Sequence, residues 1–331
     1  MHISPVLLIT FNRPDHVRRV LTEILKQSPT SLYVCQDGAR ENNNQDRINC
    51  QEVRDVVNEL TSAYAINNRD FQLHTLYQEK NLGCGPGPAA GISWFFNQVE
   101  MGVVMEDDCL PHPDFFGYCE ELLCRYKEDE QVQFINATLY HDRWICEASY
   151  GYSHYMVTGA WAGWCRTWKG FDLDMHTWGA WQFRKQVKQL TKSTTEANWW
   201  YWKLKEIQVD TSKKSYWDYQ MQMALFRNKA ITLHPAKNLI SNIGFDAEGT
   251  HTLSNDGRGD REVFGILPLV HPTNRTINHP MDVDCFGKTG VQSRYKDIVQ
   301  FVYQYMLRSK GFLYQILMKY KSLKKSLITK Q

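Results

Sequence analysis

The chain has 331 residues, 43% of them hydrophobic and 13% aromatic with 11 Trp, enough for one large core or two smaller ones. A formal charge of +2 gives no global reason to expect a nucleic-acid partner. Nine scattered cysteines without a Cys-x-x-Cys pair fit neither a disulfide framework nor a zinc site, so reduced thiols and a cytoplasmic setting are expected.

The chain opens directly on "HISPVLLITF", with no basic stretch ahead of an apolar core, so no signal peptide is expected. No apolar run reaches the roughly 18 residues a spanning helix needs. "PVLLITF" (5–11) reads as a buried parallel strand, and Pro14 opens a helix with Val17, Val20, Leu21, Ile24 and Leu25 on one face. "SLYVCQDG" (31–38) is a second strand ending at Asp37, and a helix follows around 46–61. "FQLHTLYQ" (71–78) alternates as a third strand. The loop "NLGCGPGPAAG" (81–91) leads into a helix near 89–100, and "GVVME" (102–106) is the fourth strand. "HPDFFGYCEELLCRYKED" is a helix with Phe115, Phe116, Cys119, Leu122 and Leu123 inward. This alternation predicts an α/β fold with a mostly parallel central sheet flanked by helices.

The second half loses the alternation. Residues 150–202 are dense in Tyr, Trp and Gly, "SYWDYQMQMALFRNK" reads as a helix and "AITLHP" as a strand. "NLISNIGFDAEGTHTLSNDGRGD" is turn-rich and polar. From Arg294 to the end, nine Lys or Arg stand against a single acid, Asp297. "FLYQILMKYKSLKKSLITK" places Leu313, Ile316, Leu317, Tyr320, Leu323 and Leu327 on one stripe among lysines. Such a basic amphipathic helix (311–331) suits an anionic membrane surface, or docking on the body or on a second subunit.

In an open α/β sheet, ligands sit beyond the carboxyl ends of the strands. There the sequence sets Thr10, Asn12 and Arg13, then Asp37, then the glycine loop, then three adjacent acids, Glu106, Asp107 and Asp108. Asp37 can accept from a base or ribose, and Arg13 can stack or donate. Three adjacent carboxylates are costly unless a cation or hydrogen-bond donors meet them. Carboxylate oxygens suit Mg²⁺ or Mn²⁺ better than zinc, and such a cation would neutralise a diphosphate. The glycine loop departs from Gly-x-Gly-x-x-Gly, because Pro88 takes the last place counted from Gly83. That spacing disfavours a dinucleotide-binding oxidoreductase. "TFNRPD" has no glycine-rich loop after the first strand, which disfavours a nucleotidyltransferase. A non-catalytic nucleotide-sugar-binding or membrane-surface protein on the same fold is the alternative to an enzyme.

"VLLITFNRPDHVRRVL", "VCQDG", "NLGCG" and "EDDCLPHPDFF" together resemble GT-A nucleotide-sugar glycosyltransferases. The likeness is to bacterial family-2-like enzymes, including a hemolysin-like group, and more distantly to the animal N-acetylglucosaminyltransferase that initiates hybrid N-glycans. It is carried mainly by the first 130 residues, and "TGAWAGWCRTW" and "SYWDYQMQ" extend it to about residue 255.

The resemblance implies a catalytic domain over 1–265, with a nucleotide-sugar half (1–130) and a Trp-rich acceptor half (131–265), followed by a C-terminal extension (266–331). It implies nucleotide contacts from Thr10, Asn12, Arg13, Asp37, Gly83 and Gly85. Glu106 and Asp107 would bind sugar and ribose hydroxyls, and Asp108 would hold Mn²⁺ or Mg²⁺. Asp218 would be the catalytic base, with Asp246, Glu248 and Asp256 as rivals. His251 would add a metal or phosphate contact. Trp164, with Trp161 and Trp168, would shape a sugar pocket or else form buried core. Relatives often carry a basic residue where this chain has Pro86, so phosphate contact there would fall to backbone N–H groups. The implied reaction is inverting transfer from a nucleoside diphosphate sugar, UDP favoured, to a glycan or lipid-linked glycan. It would take place in the cytoplasm, at the inner face of the plasma membrane if the terminal helix binds there.

Overall fold

A computed structural model describes residues 3–139, 147–209, 216–244 and 261–287. The first half alternates as expected: β1 (Val6–Thr10), α1 (Pro14–Lys26), β2 (Ser31–Gln36), α2 (Asn44–Asn67), β3 (Gln72–Tyr77), α3 (Pro86–Phe96) and β4 (Met101–Glu106). Then come β5 (Cys109–Pro111), α4 (Asp114–Arg125), β6 (Val132–Asn136), β7 (Tyr150–Ser153), β8 (Ala160–Trp164) and α5 (Cys165–Lys169). The remainder is α6 (Ala180–Thr191), α7 (Thr194–Val209), α8 (Asp218–Arg227), β9 (Ile231–Pro235), β10 (Ile240–Asn242) and α9 (His279–Phe286).

Local chemistry sets the helix starts. Pro14 occupies the first turn of α1, where its missing N–H costs nothing, and Asp15 meets the positive end of the helix dipole. The Asn43 side chain caps α2 by accepting from Asp46 N at 3.0 Å. That helix continues to Asn67, past the expected end near 61, with Thr61 buried inside it. α3 starts earlier than expected, at Pro86, because the two prolines of "GPGP" are compatible with a first turn.

The strands form one eight-stranded sheet in the order β3-β2-β1-β4-β8-β6-β9-β7. β1, β2, β3 and β4 are mutually parallel, β6 and β9 are parallel to each other, and β8 runs against both β4 and β6. β7 is antiparallel to β9, so β7 and β8 are the two reversed strands in a mostly parallel α/β sheet. A small hairpin-like pair, β5 with β10, stands beside it.

Both faces of the parallel half are covered, which is why its strands read as continuous apolar runs. Val6, Leu8, Val34, Val103 and Met105 pack on the side of α1, α2 and α4. Leu7, Ile9, Tyr33, Cys35 and Val104 pack on the opposite side with α3, α5 and α8. A third, Trp-rich cluster joins α6 to α9 through Trp178, Trp199, Trp200, Tyr219 and Phe286.

The boundary expected at 265 does not fall at a break in packing. Ile266 belongs to the main core, the N–H groups of Ile266 and Leu267 donate to Asp114 Oδ2 at 2.7 and 3.0 Å, and Ile277 bridges to Tyr152. α9 then closes the Trp-rich cluster with Met281 and Phe286. Burial of apolar side chains ties this stretch to the body, a tertiary effect that composition does not reveal. The expected basic helix at 311–331 lies outside the described residues.

Candidate active site

The chain lays β2 and then β3 outward on one side of β1, then crosses to place β4 on the other side. Where strand order reverses in this way, a crevice opens at the carboxyl ends of the two inner strands. The parallel register sets Ile9 opposite Glu106, so Phe11–Arg13 and Glu106–Asp108 leave the sheet together.

The acidic triplet meets a cation supplied by its own chain. Arg13 Nη2 pairs with Asp107 Oδ1, and Arg13 Nη1 donates to Asp108 Oδ2 at 3.1 Å. Phe11 N donates to Asp107 Oδ2 at 3.3 Å. Burial works against the Arg13 charge, but Asp107 and Asp108 outweigh it and hold the guanidinium proton above its ordinary value. Burial pushes Asp107 up to about 6 despite Arg13. Burial also pushes Glu106 up to about 8, reinforced by the charges of Asp108, Asp107 and Asp218. Arg13, expected at a nucleobase, pairs with the acids here, a pairing that residues more than 90 apart in sequence do not advertise.

The second strand end is organised by Asp37. Its Oδ1 accepts from Gly38 N at 2.9 Å and Leu82 N at 2.8 Å, and its Oδ2 from Asn81 Nδ2 at 3.0 Å and Gly83 N at 2.9 Å. A carboxylate offers about four lone-pair sites, and all are met by the chain's own donors. Asp37, expected to contact a base, pins the glycine loop to β2. Gly83 sits at φ 83°, a conformation that disfavours side chains, and Gly85 is the N-cap residue of α3. Thr10 Oγ1 donates to Cys35 O at 3.0 Å, and Asn12 Nδ2 to Asp46 Oδ1 at 2.9 Å, so these too serve internal bonds.

Sequence reasoning missed the fourth wall. Ile243 N donates to Asp108 O at 2.8 Å, Asn242 Nδ2 reaches Asp108 Oδ1 at 3.5 Å, and His16 Nε2 lies 3.1 Å from Ile243 O. A Cβ on Gly244 would press into the Asp108 carboxylate and stand 2.8 Å from Arg13 Nη1. A glycine just past a short strand was the available signal, hidden in a stretch that otherwise reads as loop.

Asp218 begins α8, and Tyr219 N donates to its Oδ1 at 2.9 Å. It lies near enough to Glu106 for the two charges to repel. Gly159, at φ 103°, turns the chain so that its carbonyl accepts from Glu106 N at 2.7 Å. Cys84 of the glycine loop lies near both Asp37 and Glu106, and burial together with those charges raises its thiol above the ordinary value.

Trp164 does not join this group. The antiparallel register sets it opposite Met101, at the start of β4, about 17 Å along the strand from Glu106. It is buried in the main core with Arg166 stacked 4.1 Å from its ring, whereas Trp161 and Trp168 pack on the other face. Reversal of β8 is the reason: the tryptophan that ends that strand lies at the wrong end of the sheet. His251, Asp246, Glu248 and Asp256 lie outside the described residues.

Among the described residues, no three His, Cys, Asp or Glu side chains are grouped to enclose a metal ion. A hard divalent cation bound mostly by phosphate and water takes one or two carboxylates. Asp108 fits that limited part, being less buried than Asp107 and having its Oδ1 near a neutral amide at 3.5 Å.

The fold and crevice together define an α/β protein with an acidic site at its topological switch point. No protein-family model matches the chain, and no curated protein matches it in sequence. Among solved structures it is similar to an apo UDP-glucose pyrophosphorylase, with TM-score 0.39 and 10% identity over 75% of this chain and 95% of that one. It is also similar to UDP-glucose pyrophosphorylase complexed with UDP-glucose, with TM-score 0.36 and 8% identity over 70% of this chain and 90% of that one. Likenesses this low assign neither substrate nor reaction to the chain.

Proposed function

We propose that this chain is an inverting, divalent-cation-dependent glycosyltransferase that moves a sugar from a nucleoside diphosphate sugar, UDP favoured, to a hydroxyl of a glycan or lipid-linked glycan. The observation that carries the reading is the parallel register that brings Phe11–Arg13 and Glu106–Asp108 out of the sheet together at the switch point between β1 and β4, with Asp218 near enough to Glu106 for their charges to interact. The motif resemblance to GT-A enzymes supports it independently.

Asp108 would hold Mn²⁺ or Mg²⁺, which when bound neutralises charge gathering on a departing diphosphate. Arg13 keeps Asp107 and Asp108 fixed beside each other. Glu106 stands beside these acids at the end of β4, where its carboxyl can hydrogen-bond a sugar or ribose hydroxyl. Asp218 takes the proton from the acceptor hydroxyl as that oxygen attacks the anomeric carbon. One in-line displacement inverts the configuration there.

Calorimetric titration of UDP-, GDP- and dTDP-sugars with Mn²⁺ tests the donor, and an acceptor screen tests transfer. Asp218→Asn is expected to keep Mn²⁺-dependent binding and lose transfer, while Asp108→Ala loses both. Full transfer by Asp218→Asn removes that residue as base, and indifference of the wild type to every sugar nucleotide removes the reading.

No helix among the described residues is long and apolar enough to cross a membrane. Surface attachment through residues 311–331 is proposed from their stripe of Leu, Ile and Tyr among lysines. Vesicle flotation with and without that segment tests it, and equal flotation rejects it.

A further inference from the structure

The described rim of the crevice is rich in negative charge. Asp37, Glu106, Asp107, Asp108 and Asp218 contribute carboxyl groups, and Arg13 is gripped by two of them. A nucleoside diphosphate entering such a site must find positive charge beyond one divalent cation.

Arg40 lies in the loop between β2 and α2, and its position is fixed from below. Asp46, only 2% exposed, accepts from Arg40 Nε at 2.5 Å, from Nη2 at 2.8 Å and from the backbone N at 3.3 Å. The same carboxylate accepts Asn12 Nδ2 at 2.9 Å, which ties the loops after β1 and β2 to one buried acid. The guanidinium carbon stands 5.6 Å from the Phe11 ring, and Arg40 lies near Cys84 of the glycine loop. Asp46 engages one edge of the guanidinium, whereas Nη1 has no hydrogen-bond partner among the described residues and the side chain is 50% exposed.

We infer that Arg40 is a phosphate-contacting residue of this crevice, presenting its open edge to the anionic oxygens of a nucleotide. A planar guanidinium matches phosphate geometry, and one already oriented by a buried acid loses little rotamer freedom on binding. The assignment rests on the proposed nucleotide-sugar reading and adds the group that meets the phosphates on the β2 side. Asn12, expected at the nucleotide, becomes a positioning residue acting through Asp46.

The test compares UDP with uridine, which carries base and ribose without phosphate, by calorimetry and competition in the presence of Mn²⁺. Arg40→Gln is expected to weaken UDP about tenfold or more while leaving uridine unchanged. Arg40→Lys should fall between, keeping charge without the fork. Because Arg40→Gln leaves Asp46 buried without its cation, the double variant Arg40→Gln/Asp46→Asn is measured beside it, with melting temperatures for each. The double variant is expected to melt near the wild type and still bind UDP weakly. Recovery of UDP affinity in the double variant, or an equal loss for uridine and UDP, makes Arg40 a purely structural group and overturns the inference. Unchanged UDP affinity in Arg40→Gln overturns it while leaving the site reading intact. A wild type that binds neither ligand overturns both.

Discussion

Gly244 lies against the Asp108–Arg13 ion pair with no room for a side chain: a Cβ there would crowd the Asp108 carboxylate and come within 2.8 Å of Arg13 Nη1. The end of β10 thus fixes the carboxylate proposed to hold the cation, although it is more than 130 residues away in sequence.

Gly244→Ala is therefore expected to cost about 1–3 kcal/mol of stability, the usual range for overpacking a tight contact. It should also weaken Mn²⁺-dependent nucleotide binding, because Asp108 must turn away. Denaturant unfolding and calorimetry of the same preparation check both effects. An alanine variant with wild-type stability and affinity would show that the wall yields freely.

Glu106 gives a pH signature with a definite sign. Its carboxyl is pushed up to about 8 in the folded chain, against an ordinary value of 4.5. Below pH 4.5 both states hold the proton and the group contributes no pH dependence. Between there and 8 the unfolded chain ionises first, so the folded state binds more protons and stability falls as pH rises. Glu106→Gln removes that slope, and its stability relative to wild type should climb from pH 4.5 to 8. Urea midpoints at three pH values decide it; parallel profiles would place Glu106 in a wetter, less repelled setting.

Asp37→Asn leaves one accepting oxygen where two served four donors, and turns an amide toward N–H groups. Hydrogen bonds to a charged acceptor are worth roughly 1.5–3 kcal/mol, so a loss of that order is expected, concentrated in the glycine loop. Amide exchange at Leu82 and Gly83 should quicken more than exchange in β1. Equal protection in both proteins would mean that the loop holds without its carboxylate.

Trp164→Ala should cost about 3–5 kcal/mol, as for other large core truncations. Trp164→Phe should cost much less, since the indole N–H is buried without a hydrogen-bond partner in the described structure. Neither change should alter nucleotide affinity in the folded protein. A selective loss of sugar-nucleotide binding in Trp164→Phe would return that residue to the site.

The parallel half of the fold was legible because its information is local. Apolar runs between Pro14, the Asp37–Gly38 turn and the "GCGPGP" loop declare buried strands and helix starts without knowledge of any partner. The same runs end on Arg13, Asp37 and Glu106–Asp108, so the composition of the crevice followed from where each strand stops. The second half was not legible in this way. β6, β7 and β8 are short, and their directions are set by pairing with distant strands. Trp164 and Trp168 are only four residues apart, yet they lie on opposite sides of the sheet because a strand ends between them.

Sequence alone determined which residues gather at the carboxyl ends of β1, β2 and β4, since a strand's end is written in its own hydrophobic pattern. Tertiary structure decided what those residues hold: Arg13 closing on Asp107 and Asp108, Asp37 on the glycine loop, Asp46 on Arg40, and Gly244 beneath the first of these pairs. Charge pairing acts over a few ångströms of space, whatever the distance along the chain, so the partner of a buried carboxylate is fixed when the sheet closes.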